Sequence, residues 1–284
     1  MGYRLLALDC DGTLLNPEGH VSPRVREAVT RAAGAGCHVT LATGRRAWSV
    51  KRIIAELGIN VPLVLYNGGL IWDAVKAEAL HQRPLARETV RELVALAREH
   101  RMQAMVFEHP LAGERVFLGP EEFDSAIVRA YVGPRAHFCI RVPFDALHEV
   151  QDPLLVSAQT DDPATARRYY DAVAGRLPCS PQVPLHGEEP HVEVHVYGPG
   201  ATKANALAEL AGRHGLTMAD VMVVGDDYND VEMLEAAGLG VAMGHAPALV
   251  KRYADVVVGT NAEDGVAEAI ERFVLGAEAP PRGR

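Results

Sequence analysis

Asp9 and Asp11 stand one residue apart at the end of an apolar run, Leu5-Leu6-Ala7-Leu8, and Gly12-Thr13 follow them. In a continuing strand the two side chains would share a face. At a strand end beside glycine they can turn toward one point in space. Two carboxylates that close repel, and one takes up a proton unless a cation lies between them. The plainer alternative is a buried strand that ends in an Asp-Gly turn. Against it stands the order of the residues: a strand, then Asp-x-Asp-Gly-Thr, at the carboxyl end where open parallel sheets bind ligands. Three further stretches offer related chemistry: Thr43-Gly44-Arg45, Lys203, and Gly225-Asp226-Asp227-Tyr228-Asn229-Asp230. This inventory is rich in oxygen and has neither histidine nor thiol, a set that selects Mg²⁺ over zinc or copper. Asp9 and Asp226 can bracket one ion only if their strands are neighbours.

A Mg²⁺ ion held by carboxylates, with a lysine and a threonine opposite, suits a phosphate. The ion commonly binds through one or two carboxylates plus a substrate phosphate oxygen. Lys203 can neutralise another oxygen as a point charge. Thr43 can donate its hydroxyl, and backbone N–H groups in the turns add donors. Each residue also has a simpler reading: Lys203 as a solvated lysine at a helix start, Thr43 as a turn former, the aspartates as an acidic surface. Cys10, between the two first aspartates, reads as a small buried residue rather than a nucleophile.

The elements that must position these residues alternate. Ser22-Pro23 opens a helix with Val25, Val29, Ala32 and Ala33 on one stripe, and Gly34 and Gly36 stop it. A strand spans His38 to Ala42. A helix carrying Trp48, Ile53, Ile54 and Leu57 ends at Gly58. A third strand, Leu63 to Tyr66, runs into Asn67-Gly68-Gly69. Strand–helix alternation implies crossovers and a parallel sheet. From about Pro84 the pattern changes to a helix over 85–101 and short strands at 103–108, 115–118, 137–142 and 154–159. Pro163 to Ala174 reads as helical. His191-Val192-Glu193-Val194-His195-Val196 alternates strictly, which fits a mostly antiparallel sheet with one covered face. The first pattern then returns: a helix from Lys203, a strand at 221–224, a helix at 231–237, a strand at 239–243, a helix at 247–253, a strand at 255–258 and a helix at 264–275. The expected fold is therefore α/β, a Rossmann-like parallel core of 1–83 and 197–284 with an inserted α+β module of 84–196.

The 284 residues are 48% hydrophobic and 23% charged, with a formal charge of −9. That balance argues against nucleic acid or an anionic membrane as a main partner. Cys10, Cys37, Cys139 and Cys179 are scattered, so neither a structural zinc site nor a disulfide framework is expected. The first strand starts almost at once and no apolar run reaches the ~18–20 residues that cross a bilayer. A cytoplasmic protein, monomer or homodimer, is expected.

Together the stretches resemble the haloacid dehalogenase superfamily of phosphohydrolases. Asp9-Cys10-Asp11-Gly12-Thr13-Leu14 matches its first motif, Thr43-Gly44-Arg45 its second, Lys203 its third and Gly225 to Asp230 its fourth. The insert resembles the type IIB cap of the Cof-type subgroup, as do Asn67-Gly68-Gly69 and the stretch Gly259 to Ala267. Ala204 departs from the pattern, since many relatives carry glycine after the third-motif lysine. The resemblance implies Asp9 as nucleophile, forming an aspartyl-phosphate, and Asp11 as general acid–base. It implies Mg²⁺ held by Asp9, the Asp11 backbone carbonyl and Asp226, with Asn229 and Asp230 orienting bound water and Lys203. Thr43, Gly44, Arg45, Lys203 and Asn229 would bind the phosphoryl group or the substrate. The cap would close over the site and set specificity, with His191, Glu193 and His195 as candidates; zinc on that His-x-Glu-x-His face is the weaker reading. The implied activity is hydrolysis of a small phosphorylated metabolite such as a sugar phosphate. A phosphomutase and a silent sugar-phosphate-binding protein are the alternatives.

Overall fold

The computed structural model describes residues 2–59, 61–183 and 193–276. The chain divides into two compact units, Met1–His81 with Thr202–Arg284, and Gln82–Ala201.

The first unit is built on a five-stranded sheet in the order Val256–Val257, Leu239–Ala242, Val221–Gly225, Leu5–Leu8, His38–Leu41. Every pairing in it is parallel. Leu5–Leu8 is buried at all four positions, as an apolar run without alternation requires when both faces of a sheet are covered. Leu5, Ala7, Val221 and Val223 pack with Ala206, Leu207 and Leu210 of the helix Lys203–Arg213. Ser22 caps the helix Pro23–Gly34, its hydroxyl accepting from the Val25 N–H at 3.2 Å. The Ala47–Leu57 helix ends on Gly58 at φ 64°, where a side chain would be strained.

The third strand differs from expectation. Leu63–Leu65 touches the parallel sheet through one bridge, Ala42 to Val64, and pairs antiparallel with Leu70–Asp73. Glu78–Gln82 completes this three-stranded sheet. No strand was expected over 70–82. The apolar run Leu70-Ile71-Trp72 is short and abuts a glycine turn, and Glu78–Gln82 has no buried residue and so no periodic signal.

The second unit holds a six-stranded sheet in the order Ser180–Gln182, Glu193–Tyr197, Leu155–Gln159, Gln103–Phe107, Val116–Leu118, Cys139–Arg141. Its pairings are antiparallel except the last, between Val116–Leu118 and Cys139–Arg141. The helices Arg87–Glu99 and Pro163–Val173 cover one face, packing Val90, Leu93, Tyr169 and Val173 with Ala104, Val106, Val156, Val194 and Val196. The valines of the Glu193–Tyr197 strand thus meet the helices, and Glu193 and His195 take the other face. A helix at Ala126–Val132 and the strand Ser180–Gln182 carried no signal strong enough to be expected. Among the described residues no helix is long and apolar enough to cross a membrane.

Candidate active site

The site stands on the carboxyl edge of the parallel sheet of the first unit. Leu8 pairs with Val224 on one side and Leu41 on the other, so the loops after these strands start side by side. The condition set by the sequence, that the strands bearing Asp9 and Asp226 be neighbours, is met. The Asp9 N–H donates to the Val224 carbonyl at 3.0 Å. Past Asp9 the chain makes a wide turn, closed by Leu14 N–H to the Asp9 carbonyl and Leu15 N–H to the Cys10 carbonyl. Gly12 takes φ 76°, and a Cβ there would lie 2.3 Å from Asp226 Oδ2. The glycine therefore makes room for the Asp226 carboxylate.

Lys203 is the first residue of its helix, capped by Thr202, and its side chain has no exposed surface. The solvated-lysine reading is excluded. Its Nζ donates to Asp9 Oδ1 at 2.7 Å and to Asp230 Oδ1 at 2.6 Å. The other oxygen of Asp230 accepts the N–H groups of Asp226 at 2.8 Å and Asp227 at 3.0 Å. Asp230 thus spends its acceptors on holding the lysine and the turn. Carboxylate oxygens of Asp9, Asp226 and Asp230 all lie within 4.8 Å of one another. Thr13 Oγ1 donates to Asp226 Oδ1 at 2.6 Å.

Three carboxylates surround one ammonium, and the charges do not balance. Burial pushes the Asp9 carboxyl well above its ordinary range, Lys203 opposes that, and Asp230 and Asp226 add to it. Burial also lifts Asp226, to about 7, with Asp230 adding and the Thr13 hydroxyl opposing. Burial disfavours the charged form of Lys203, but Asp230 and Asp9 outweigh it and raise its pKa. The excess of two negative charges is what one divalent cation offsets. The all-oxygen donor set fits Mg²⁺. Asn229 adds a buried Oδ1 with no hydrogen-bond partner, while its Nδ2 donates to Asn67 Oδ1 at 3.0 Å.

Asp11 is not one of these three carboxylates. It is exposed, and Arg45 grips both its oxygens, Nε at 2.7 Å and Nη2 at 2.5 Å. The two first aspartates therefore take different partners, Lys203 for Asp9 and Arg45 for Asp11. Thr43 is buried; its Oγ1 accepts the Arg45 N–H at 3.2 Å and its carbonyl accepts the Asn67 N–H at 3.0 Å. Gly44 packs on Asn67, whose Oδ1 would lie 3.2 Å from a Cβ at that position. Cys10 is fully buried and its thiol pKa is pushed up by that burial, as suits a packing residue. In the second unit His195 Nε2 is 3.4 Å from Glu193 Oε2; His191 lies outside the described residues.

Thr13, Asn67 and His245 also shape the site, with no role assigned to them from sequence alone. His245 follows the Leu239–Ala242 strand, and its Nε2 is 3.5 Å from Asp226 Oδ2. Thr13 and Asn67 sat inside motifs already singled out, whereas His245 sits in a turn with no periodic signal.

The chain is 31% identical over 272 residues, 96% of each chain, to 5-amino-6-(5-phospho-D-ribitylamino)uracil phosphatase YcsE of Bacillus subtilis. It is 28% identical to pyridoxal phosphate phosphatase YbhA of Escherichia coli, over 97% of this chain and all of that one. The fold is similar to that of the haloacid dehalogenase subclass IIB sugar phosphatase BT4131, with a TM-score of 0.79 over 95% of this chain and 98% of the other at 22% identity. Residues 6–270 match the family described as haloacid dehalogenase-like hydrolase. With that match across nearly its whole length, the chain belongs to the haloacid dehalogenase-like hydrolases, among their phosphatases.

Proposed function

We propose that the protein is a Mg²⁺-dependent phosphatase that hydrolyses small phosphorylated metabolites, sugar phosphates or compounds like them, through an aspartyl-phosphate on Asp9. The supporting observation is the buried lysine that ties Asp9 to Asp230 beside Asp226. Asp9 and Asp226 are the carboxylates with oxygens left to hold the ion, and Asn229 and Asp230 orient its surroundings. The bound ion supplies positive charge to a phosphoryl oxygen.

The chain's own residues do the rest. Lys203 holds Asp9 through Oδ1 and so orients the carboxylate that attacks phosphorus. Thr43, Gly44 and Lys203 line the phosphoryl group with donors, and charge neutralisation of this kind carries a large share of a phosphate-ester barrier. Asp11 gives a proton to the leaving oxygen, then takes one from the water that cleaves the acyl-phosphate. Both Asp11 oxygens are occupied by Arg45, so the Asp11–Arg45 pair opens before proton transfer, and Arg45 is then free to contact substrate. We assign 1–83 and 197–284 as the catalytic core and 84–196 as the cap that sets specificity, a division supported by the two compact units.

The test is release of inorganic phosphate from p-nitrophenyl phosphate. Wild type with Mg²⁺ should turn over, and both EDTA and Asp9→Asn should abolish it. Activity that survives Asp9→Asn overturns the nucleophile assignment. Isomerised sugar phosphate without free phosphate would identify a mutase instead.

A further inference from the structure

We propose that His245 is a positioning residue of the site, holding the Asp226 carboxylate in the orientation in which that group takes a divalent cation; this rests on the Mg²⁺ reading above.

The Asp226 carboxylate is confined on three sides. Thr13 donates to Oδ1 at 2.6 Å. Oδ2 packs on the Gly12 backbone, 2.3 Å from where a Cβ would stand. His245 Nε2 closes the third side at 3.5 Å from Oδ2. The imidazole also reaches the Gly12 backbone carbonyl, so one ring spans the first acidic loop and the last. Thr13 and His245 each bring a polar side-chain atom against this carboxylate. A distance of 3.5 Å is just beyond a hydrogen bond, and a small rotation of ring or carboxylate closes it.

The backbone that carries His245 is anchored. Its strand, Leu239–Ala242, pairs directly with the strand that leads into Asp226. Gly244 N–H donates to the Gly259 carbonyl at 3.1 Å, Ala246 N–H to the Met243 carbonyl at 3.0 Å, and Lys251 Nζ donates to the Gly244 carbonyl. A Cβ on Gly244 would meet the Val258 carbonyl at 2.8 Å, so the turn is packed on its neighbour. An imidazole on an anchored turn, set beside a carboxylate that would hold the ion, limits that carboxylate's rotation, and partners of this kind typically contribute 10–100-fold in metal affinity or activity.

The experiment is a calorimetric Mg²⁺ titration of the metal-free protein in wild type, His245→Ala and His245→Gln. The alanine variant is expected to bind Mg²⁺ about 10-fold to 100-fold more weakly. Glutamine, whose amide nitrogen falls near the position of Nε2, is expected to recover most of the affinity. Phosphatase kcat of His245→Ala should return toward wild type at saturating Mg²⁺, since the loss lies in holding the ion. Should the alanine variant fail to fold, His245→Leu against His245→Gln carries the same comparison. Equal Mg²⁺ affinity in wild type and the alanine or leucine variant overturns this proposal alone, as does a glutamine variant no better than alanine or leucine. A wild type that binds no Mg²⁺ overturns the metal reading itself and this proposal with it.

Discussion

Lys203 Nζ and Asp230 Oδ1 meet at 2.6 Å, and neither side chain has any exposed surface. Removing one partner of such a pair leaves a buried charge without compensation. Lys203→Met is therefore expected to cost about 3–5 kcal/mol of stability as well as activity. Adding Asp230→Asn should recover part of the stability and none of the activity. Urea denaturation of the two variants measures both. A Lys203→Met protein as stable as wild type would remove the lysine as the tie between the loops.

Gly68 and Gly36 offer a controlled comparison. Both have positive φ, 92° and 88°. A Cβ on Gly68 would fall 2.0 Å from the Thr202 carbonyl oxygen, whereas one on Gly36 meets nothing within 4 Å. Gly36→Ala should cost only the ~1–2 kcal/mol of a left-handed backbone. Gly68→Ala should cost visibly more, because the backbone before Lys203 has to move, and phosphatase activity should fall with it. Equal melting temperatures for the two variants would contradict this close approach.

The pH dependence of stability has a definite sign. Asp226 is lifted by burial from its ordinary 3.8 to about 7 in the metal-free protein, and Asp9 is shifted in the same direction by its own burial. A carboxyl with a raised folded-state pKa holds its proton more tightly when folded. Its contribution is full below the unfolded-state value and drains away as pH rises through the folded-state value. Melting temperature in EDTA should decline between about pH 4 and about pH 7, and saturating Mg²⁺ should flatten the decline. A flat profile in EDTA would show that the carboxylates are not crowded as described.

Asp11 and Asp9 should separate kinetically. An aryl leaving group departs without protonation, but hydrolysis of the acyl-phosphate needs a base. Asp11→Asn should therefore keep a p-nitrophenolate burst while steady turnover falls by about 10²–10⁴. On an alkyl phosphate the burst should vanish too. Loss of the aryl burst in Asp11→Asn would point to a role in binding rather than in proton transfer.

Much of this architecture was legible residue by residue. Leu5 to Leu8, apolar throughout, marked a strand covered on both faces, and Ser22-Pro23 marked a helix start with its cap. Val194 and Val196 alternate with Glu193 and His195, and that period of two assigned the covered face of the second sheet. Other features were not. The Leu70–Asp73 and Glu78–Gln82 strands lack a repeating apolar pattern. His245 stands in a short turn where nothing local distinguishes it from a surface residue. The partner of Asp11 was not legible, because its exposed carboxylate could face solvent, a cation or an arginine with the same local sequence.

The sequence by itself determined where the core strands end and their loops begin, because apolar period, caps and strand-end glycines are properties of neighbouring residues. Only the tertiary structure decided which charges share one site. Asp9 reaches Lys203 across 194 residues and Thr13 reaches Asp226 across 213. Those meetings depend on the parallel pairing of Leu5–Leu8 with Val221–Gly225, a register set by the packing of the whole core and written in no single stretch of chain.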